Sequence, residues 1–361
     1  METASTQLDL SQCVPCVPPP DCVRAAIEVL LAGDSVTLHG YTTAAGLPSL
    51  RKALADALNA RYDAGAVPER FYVTCGIAAA LAISLRAVLS PGDEVVIPAP
   101  FDPDYRVYVE AAGAKIVPVA PAADFQIDPE AFEAALTERT GAVIICSPCN
   151  PTGAVLSRAS LLSLTGALRR HEEETGRAVY LISDERWIDL TWEESAPECI
   201  FNCYDDAILC RSFGETFSVP GEVLGYLAVG GRMAKGDDVY AAIAGAGRSM
   251  GYVNPPSLFQ RVMERCIGAQ ADFTLYRENR ALLLNVLRQC GAEVCEPQGG
   301  VFLWFRSPVP DAADFCARAR EKGLLLSPGD GFGAPGYVRA CYCVPRETAE
   351  TAAAALRELL G

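Results

Sequence analysis

Cys13-Val-Pro-Cys16, followed by Cys22, has a spacing that could hold a metal ion or run thiol–disulfide chemistry. One such pair is weak support for either. The only histidines, His39 and His171, are too few for a histidine-based zinc site, and neither lies in a Ser-His-Asp context. His39, in Leu38-His-Gly-Tyr41, reads as a structural turn residue. The fifteen cysteines of this 361-residue chain then read as buried reduced thiols serving as small apolar groups. A net charge of −15 and a pI near 4.7 oppose a nucleic-acid or anionic-membrane partner, because no Lys/Arg cluster compensates. No apolar run reaches transmembrane length. The opening Met-Glu-Thr-Ala-Ser-Thr lacks the basic-then-apolar order of a signal peptide, so a cytoplasmic protein is expected.

Any such chemistry must be positioned by the surrounding elements. From about residue 45 to 230, short apolar strands alternate with amphipathic helices. Leu50, Leu54 and Leu58 share one face of a helix over 47–62. Strands are predicted at 71–74, 94–98, 115–119, 142–146, 179–182 and 207–210, with a helix over 78–89 and a turn at Ser90-Pro-Gly-Asp93. This pattern predicts an α/β fold with a mostly parallel sheet covered on both faces. A helical stretch over 257–290, interrupted near Gly268, leads to strands at 293–295, 300–305 and 337–342 and helices at 312–322 and 346–360. That second pattern predicts a smaller α+β domain, completed by the N-terminal segment around Pro18 to Leu31. The expected division is 1–40 joining the small domain, 41–256 as the large domain, and 257–361 as linking helix and small domain.

Five motifs then fall in one order. They are Tyr41-Thr-Thr-Ala-Ala-Gly-Leu-Pro-Ser-Leu-Arg51, Thr74-Cys-Gly-Ile-Ala78, Asn150-Pro-Thr-Gly153, Ile182-Ser-Asp-Glu185 and Gly336-Tyr-Val-Arg-Ala340. Together with Ser212-Phe-Gly-Glu-Thr-Phe-Ser-Val-Pro-Gly-Glu-Val-Leu-Gly-Tyr226, they resemble the fold type I, class I/II, pyridoxal-phosphate aminotransferases over essentially the whole chain. The resemblance implies a large domain with a seven-stranded, mostly parallel sheet. It implies that Tyr41 reaches the cofactor phosphate of a second subunit, hence a homodimer. Gly76 and Ile77 would offer backbone N–H groups to the phosphate at a helix N-terminus. Asn150 would bond the pyridoxal oxygen and Asp184 the pyridine nitrogen, while Arg339 would grip a substrate carboxylate.

The departures are ordered too. Glu215 stands at the position of the Schiff-base lysine, Val223 at that of the phosphate arginine, and Gly214 at that of a phosphate-binding serine. Trp187 replaces a tyrosine, Asp102 the aromatic residue that stacks on the ring, and Cys13 a glycine beside the substrate carboxylate. Lys52, Lys115, Lys235 and Lys322 lie outside these motifs. A carboxylate can act as a base but cannot form an imine, and it would repel the phosphate by about 3 kcal/mol at about 5 Å. The family chemistry is therefore expected to be lost, and with it tight, covalent cofactor binding.

For the altered pocket four readings stand. It is a decayed site; or it takes a small amino-acid-like zwitterion between Arg339 and the carboxylates of Asp102, Asp184 and Glu215. Alternatively, those carboxylates hold a divalent cation, or pyridoxal or pyridoxamine phosphate binds noncovalently with another base in the lysine's role. Glu215 and Asp184 are the candidate acid/base groups, and Cys13 or Cys149 a conceivable nucleophile. An ordinary aminotransferase, or a non-catalytic partner of an active paralogue, are the competing classes.

Overall fold

Apolar runs a few residues long, each closed by a turn, set the strands of this chain, and amphipathic stretches between them set the helices. The structure is a computed structural model describing residues 7–192 and 197–361; the opening Met1 to Thr6, read above for a leader, lies outside the described residues. The chain begins with β1 (Leu8–Asp9), α1 (Asp21–Leu31) and the short α2 (Ser35–His39). It continues through α3 (Pro48–Tyr62), β2 (Phe71–Thr74), α4 (Gly76–Val88), β3 (Glu94–Pro98), α5 (Asp104–Ala111) and β4 (Lys115–Val119). Next come α6 (Pro129–Ala134), β5 (Thr140–Cys146), α7 (Arg158–Thr175), β6 (Tyr180–Asp184), β7 (Ala207–Ser212), β8 (Gly225–Val229) and α8 (Gly236–Ser249). After α9 (Ser257–Cys266) and α10 (Thr274–Gln289) follow β9 (Val294–Cys295), β10 (Phe302–Arg306) and α11 (Ala312–Glu321). The chain closes with β11 (Leu324–Leu325), β12 (Ser327–Pro328), β13 (Tyr337–Cys341) and α12 (Arg346–Leu360).

Seven strands form the large sheet in the order β2-β8-β7-β6-β5-β3-β4. Pairs among β7, β6, β5, β3 and β4 are parallel, and only β8 runs against both its neighbours. Alternate side chains feed opposite faces. Val143, Ile145 and Leu181 point into a core shared with α3, α7 and α9, while Ala142, Ile144 and Ile182 point into one shared with α4, α5 and α8. Both faces are covered, which is why the strands read as continuous apolar runs rather than alternating ones. Each buried Val, Leu or Ile among them contributes about 1.5–3 kcal/mol. Helix starts follow local chemistry: Asp34, Asp128, Ser157 and Asp311 accept backbone N–H bonds at the starts of α2, α6, α7 and α11.

The smaller part is an antiparallel sheet, β12-β13-β10-β9, beside the parallel pair β1-β11. A separate core of Leu283, Leu287, Phe302, Phe315, Ala352 and Leu356 holds α10, α11 and α12 against it. Two expectations need correction. Pro18 to Leu31 does not complete the small part: Val23 and Ala26 of α1 join the large sheet's core and α1 packs on α9. It is β1, Leu10 and Val17 that join the small part. The helical stretch 257–290 is two helices with different allegiance, since Val262 and Met263 of α9 belong to the large core and α10 to the small one. Gly268, at φ +90°, lies in the break. His39 is the last residue of α2 rather than a turn residue.

Candidate functional site

Open α/β sheets bind ligands beyond the carboxyl ends of their parallel strands, and the candidate residues collect there. Asp184 is the last residue of β6, Asp102 follows β3, Asn150 follows β5 and Glu215 follows β7. Arg339 comes from β13 of the smaller sheet, and Ser11 to Val14 cross over as an extended strap. Between them lies a cavity of about 460 Å³, with Cys13, Asp102, Asn150, Trp187, Glu215 and Arg339 in its wall. Six positions scattered through the sequence thus meet. Tyr41 (96% exposed), Gly76, Ile77, Gly214 and Val223 do not line this cavity.

Asp184 does not line it either. The residue is fully buried, and both its carboxylate oxygens are taken by Arg186, a residue the sequence reading missed. The Arg186 Nε lies 3.2 and 3.1 Å from Oδ1 and Oδ2, and Nη2 donates to Oδ2 at 2.8 Å. Tyr105 donates its hydroxyl to the same Oδ2 at 2.8 Å. On its other side the Arg186 Nη1 lies 3.3 Å from Asp102 Oδ2. Asn150 Nδ2 donates to that Asp102 oxygen at 2.9 Å, and Arg339 Nη1 donates to Asn150 Oδ1 at 2.8 Å. One polar chain therefore runs from the buried Tyr105 and Asp184 through Arg186, Asp102 and Asn150 to Arg339, its last four members lining the cavity. Burial opposes the charge of Arg186, but the carboxylates of Asp184 and Asp102 outweigh it and hold the guanidinium cationic far above any working pH. Burial likewise lifts the Tyr105 phenol well above its ordinary value, helped by the Asp184 charge.

These pairings correct two expectations. Asp102, Asp184 and Glu215 do not form one free acidic wall, because a cation sits among them. Nor do they form a metal centre: among the described residues no three His, Cys, Asp or Glu side chains converge to hold an ion. What remains unpaired is informative. Glu215 Oε2, Trp187 Nε1 and Arg339 Nε are each buried without a hydrogen-bond partner, and all three residues line the cavity. Buried polar atoms are rarely left so. Arg339 is 7% exposed and Trp187 3%. The Arg339 guanidinium is fixed by bonds to Asn150, to the Ser11 carbonyl at 2.7 Å and to Ser327, and it stacks over Phe332 at 4.7 Å. Burial pushes the Glu215 carboxyl up, only partly offset by the charge of Arg186.

The thiols divide sharply. Burial raises Cys149 to about 11, and its sulfur faces the Pro100 carbonyl, which is no setting for a nucleophile. Cys149 also completes a second pair of the same spacing, Cys146-Ser-Pro-Cys149, which the sequence reading left out; Cys146 is likewise pushed up by burial. Cys13, by contrast, is held below the ordinary thiol value by a bond from Cys341, against its burial and with help from Arg339. All fifteen cysteines are free thiols. All four lysines are exposed, and none lines the cavity.

The start of α4 is crowded by a neighbouring turn. Val223, 53% exposed at φ +42°, lies over this helix end, where a Cβ on Gly76 would come within 3.0 Å of its Cγ1.

The comparisons agree on the fold. The model of "Aminotransferase class I and II" matches residues 5–356. An aminotransferase from Eubacterium rectale superposes with a TM-score of 0.95 at 37% identity, over 98% of this chain and 90% of its own. The aspartate aminotransferase of Thermus thermophilus, solved with maleate, gives 0.87 at 27% identity, over 98% and 92%. In sequence, the aspartate/prephenate aminotransferase of Thermus thermophilus is 30% identical over 95% of this chain and 88% of its own length. With its seven-stranded, mostly parallel sheet and smaller α+β part in the fold type I arrangement, the chain belongs to the aminotransferase class I and II family.

Proposed function

We propose that this chain works without pyridoxal phosphate and that its cavity binds a small amino-acid-like zwitterion. The observation that carries this is the Arg186 cluster. By family resemblance, Asp184 should meet the cofactor's protonated ring nitrogen and Asn150 its ring oxygen. Here a guanidinium meets Asp184 and a carboxylate, that of Asp102, meets Asn150. The protein thus supplies, from its own side chains, the cation and the anion that the cofactor ring would bring. Inserting the ring would strand both Arg186 and Asp102 without partners in a buried place, which costs several kcal/mol. Glu215 at the lysine position, four exposed lysines and Val223 over the α4 start support the same reading. The residues present do not fit the cofactor.

For the ligand, Arg339 offers a fixed cation with a free Nε, Trp187 a free N–H, and Glu215 a free carboxyl oxygen. A carboxylate suits the first two and an ammonium group suits the third. Relatives of known structure support a carboxylate here: the Thermus thermophilus enzyme was solved with maleate and a variant of it with tryptophan. Glu215, its pKa raised by burial, can also hold or accept a proton at a bound ligand. Transamination by the family route is not expected. Exposed Tyr41 supports a homodimer in which it contacts a second copy.

The test uses the purified chain. After incubation with pyridoxal phosphate and borohydride, peptide mapping should find reduced pyridoxyl groups only on solvent-facing amines, whereas an ordinary aminotransferase, the reading favoured by the relatives' names, carries one on a lysine within its cavity. A thermal-shift panel of amino acids, diamines, divalent cations and pyridoxamine phosphate should show stabilisation by amino acids only. A single adduct within the cavity, or stabilisation by pyridoxamine phosphate alone, overturns the proposal.

A further inference from the structure

The strap that closes one side of the cavity carries a thiol in an unusual setting. Its backbone is tied to the small sheet at two points: the Cys341 N–H donates to the Leu10 carbonyl at 2.7 Å, and Arg339 donates to the Ser11 carbonyl. Further along, the Tyr276 hydroxyl accepts from the Cys16 N–H at 2.7 Å, and Ser218 bonds the Val17 carbonyl. Held between these ties, the Cys13 sulfur lies 3.3 Å from that of Cys341, 328 residues away in sequence. Cys13 lines the cavity and Cys341 is fully buried behind it. The spacing Cys13-Val-Pro-Cys16 pointed to a different partner; the fold instead sets Cys13 against β13.

We infer that Cys13 and Cys341 form a redox-active dithiol that reacts with small disulfides entering the cavity. The inference stands on this thiol pair and does not depend on what ligand the cavity takes. The two roles are distinct. Cys13 is reachable and is favoured as a thiolate by the Cys341 S–H bond and the nearby Arg339 and Arg186 charges, so it attacks first. Cys341 is enclosed and held as a thiol by burial, so it resolves. In the first step the Cys13 sulfur displaces one half of the small disulfide as a thiolate and keeps the other half as a mixed disulfide. In the second, Cys341 gives up its proton to the departing thiolate and displaces the remaining half from Cys13. The protein loses two electrons and two protons, and the small disulfide becomes two thiols. Cys343 also faces the strap, its sulfur 4.0 Å from the Gln12 carbonyl, but the contact with Cys13 belongs to Cys341. The bond would lock the strap to β13 beside Arg339.

The experiment treats the whole chain, under native conditions, with bis(2-hydroxyethyl) disulfide, then blocks free thiols and maps peptides by mass spectrometry. The expected product is a chain lighter by two hydrogen atoms, with the peptides of Cys13 and Cys341 joined. In Cys341→Ala, the reaction should stop with one hydroxyethylthio group on Cys13; in Cys13→Ser, Cys341 should stay free. The wild-type mapping needs no variant to fold. Cys13 remaining free, remaining in the mixed disulfide, or joining Cys16 or Cys343 instead would overturn the inference.

Discussion

At the scale of single residues, Arg186 does what a bound cation would otherwise do. Its guanidinium lies between Asp184 and Asp102, and among the described residues no other basic side chain bonds the Asp184 carboxylate. Removing one member of a buried pair costs about 3–5 kcal/mol because the other charge is stranded. Arg186→Leu should therefore lose about that much in urea unfolding, and adding Asp184→Asn should recover most of it; a loss under about 1 kcal/mol in the single variant would disprove the role. Glu215 gives a pH signature. Burial raises its pKa above the ordinary 4.5, so the native chain keeps a proton that the unfolded chain releases. That contribution is complete below 4.5 and is lost as pH rises through the raised value. Glu215→Gln cannot ionise, so its stability relative to the wild type should grow with pH across this window. Glu185 and Asp206 are raised in the same direction but are present in both proteins, so the difference isolates Glu215. Parallel curves would refute it.

At the scale of elements, the turn before β8 stores strain. Val223 is β-branched and exposed, yet held at φ +42°, ψ +54°, a conformation that suits glycine. Such a residue costs about 1–3 kcal/mol. Val223→Gly should raise stability by about 1 kcal/mol after glycine's own entropy cost, read as a higher urea midpoint at unchanged slope; a lower midpoint would count against it. What could be read ahead of the structure followed local signals. The β3 and β4 strands were plain because apolar runs end at turn residues, as at Ser90-Pro-Gly-Asp93, and α12 matched its periodic pattern to the residue. β8 was hidden inside a motif read for its chemistry. α8 was hidden by its run of small residues, Ala244-Gly-Ala-Gly247, although Val239, Ile243 and Ala246 share one buried face. The cavity residues Cys13, Asp102, Asn150, Trp187, Glu215 and Arg339 were legible only through the order of family motifs. Arg186 was not, because no motif position covers it. Its signal was a charged residue wedged between Glu185 and Trp187 at a strand end, where only pairing with Asp184 makes burial tolerable.

At the scale of the whole molecule, the cavity is built where two cores meet: Arg339 and the strap belong to the small sheet, Asp102, Asn150 and Glu215 to loops of the large one. Binding at such a seam couples ligand to the packing of both parts. Val29, Leu31, Val36 and Tyr41, all exposed, fall on or just after α1 and α2 and are the apolar side chains that the proposed homodimer would cover. Light scattering should give twice the 38.4 kDa of a single chain, and Val36→Glu should lower it toward one; a monomer in the wild type would rule out the dimer.

The placement of the lysines has a practical side. Amine-reactive resins and fluorophores couple to Lys52, Lys115, Lys235 and Lys322, which all face solvent. Immobilising the molecule through its amines would leave the cavity's side chains untouched, and reporters fixed that way would sense the exterior rather than the cavity.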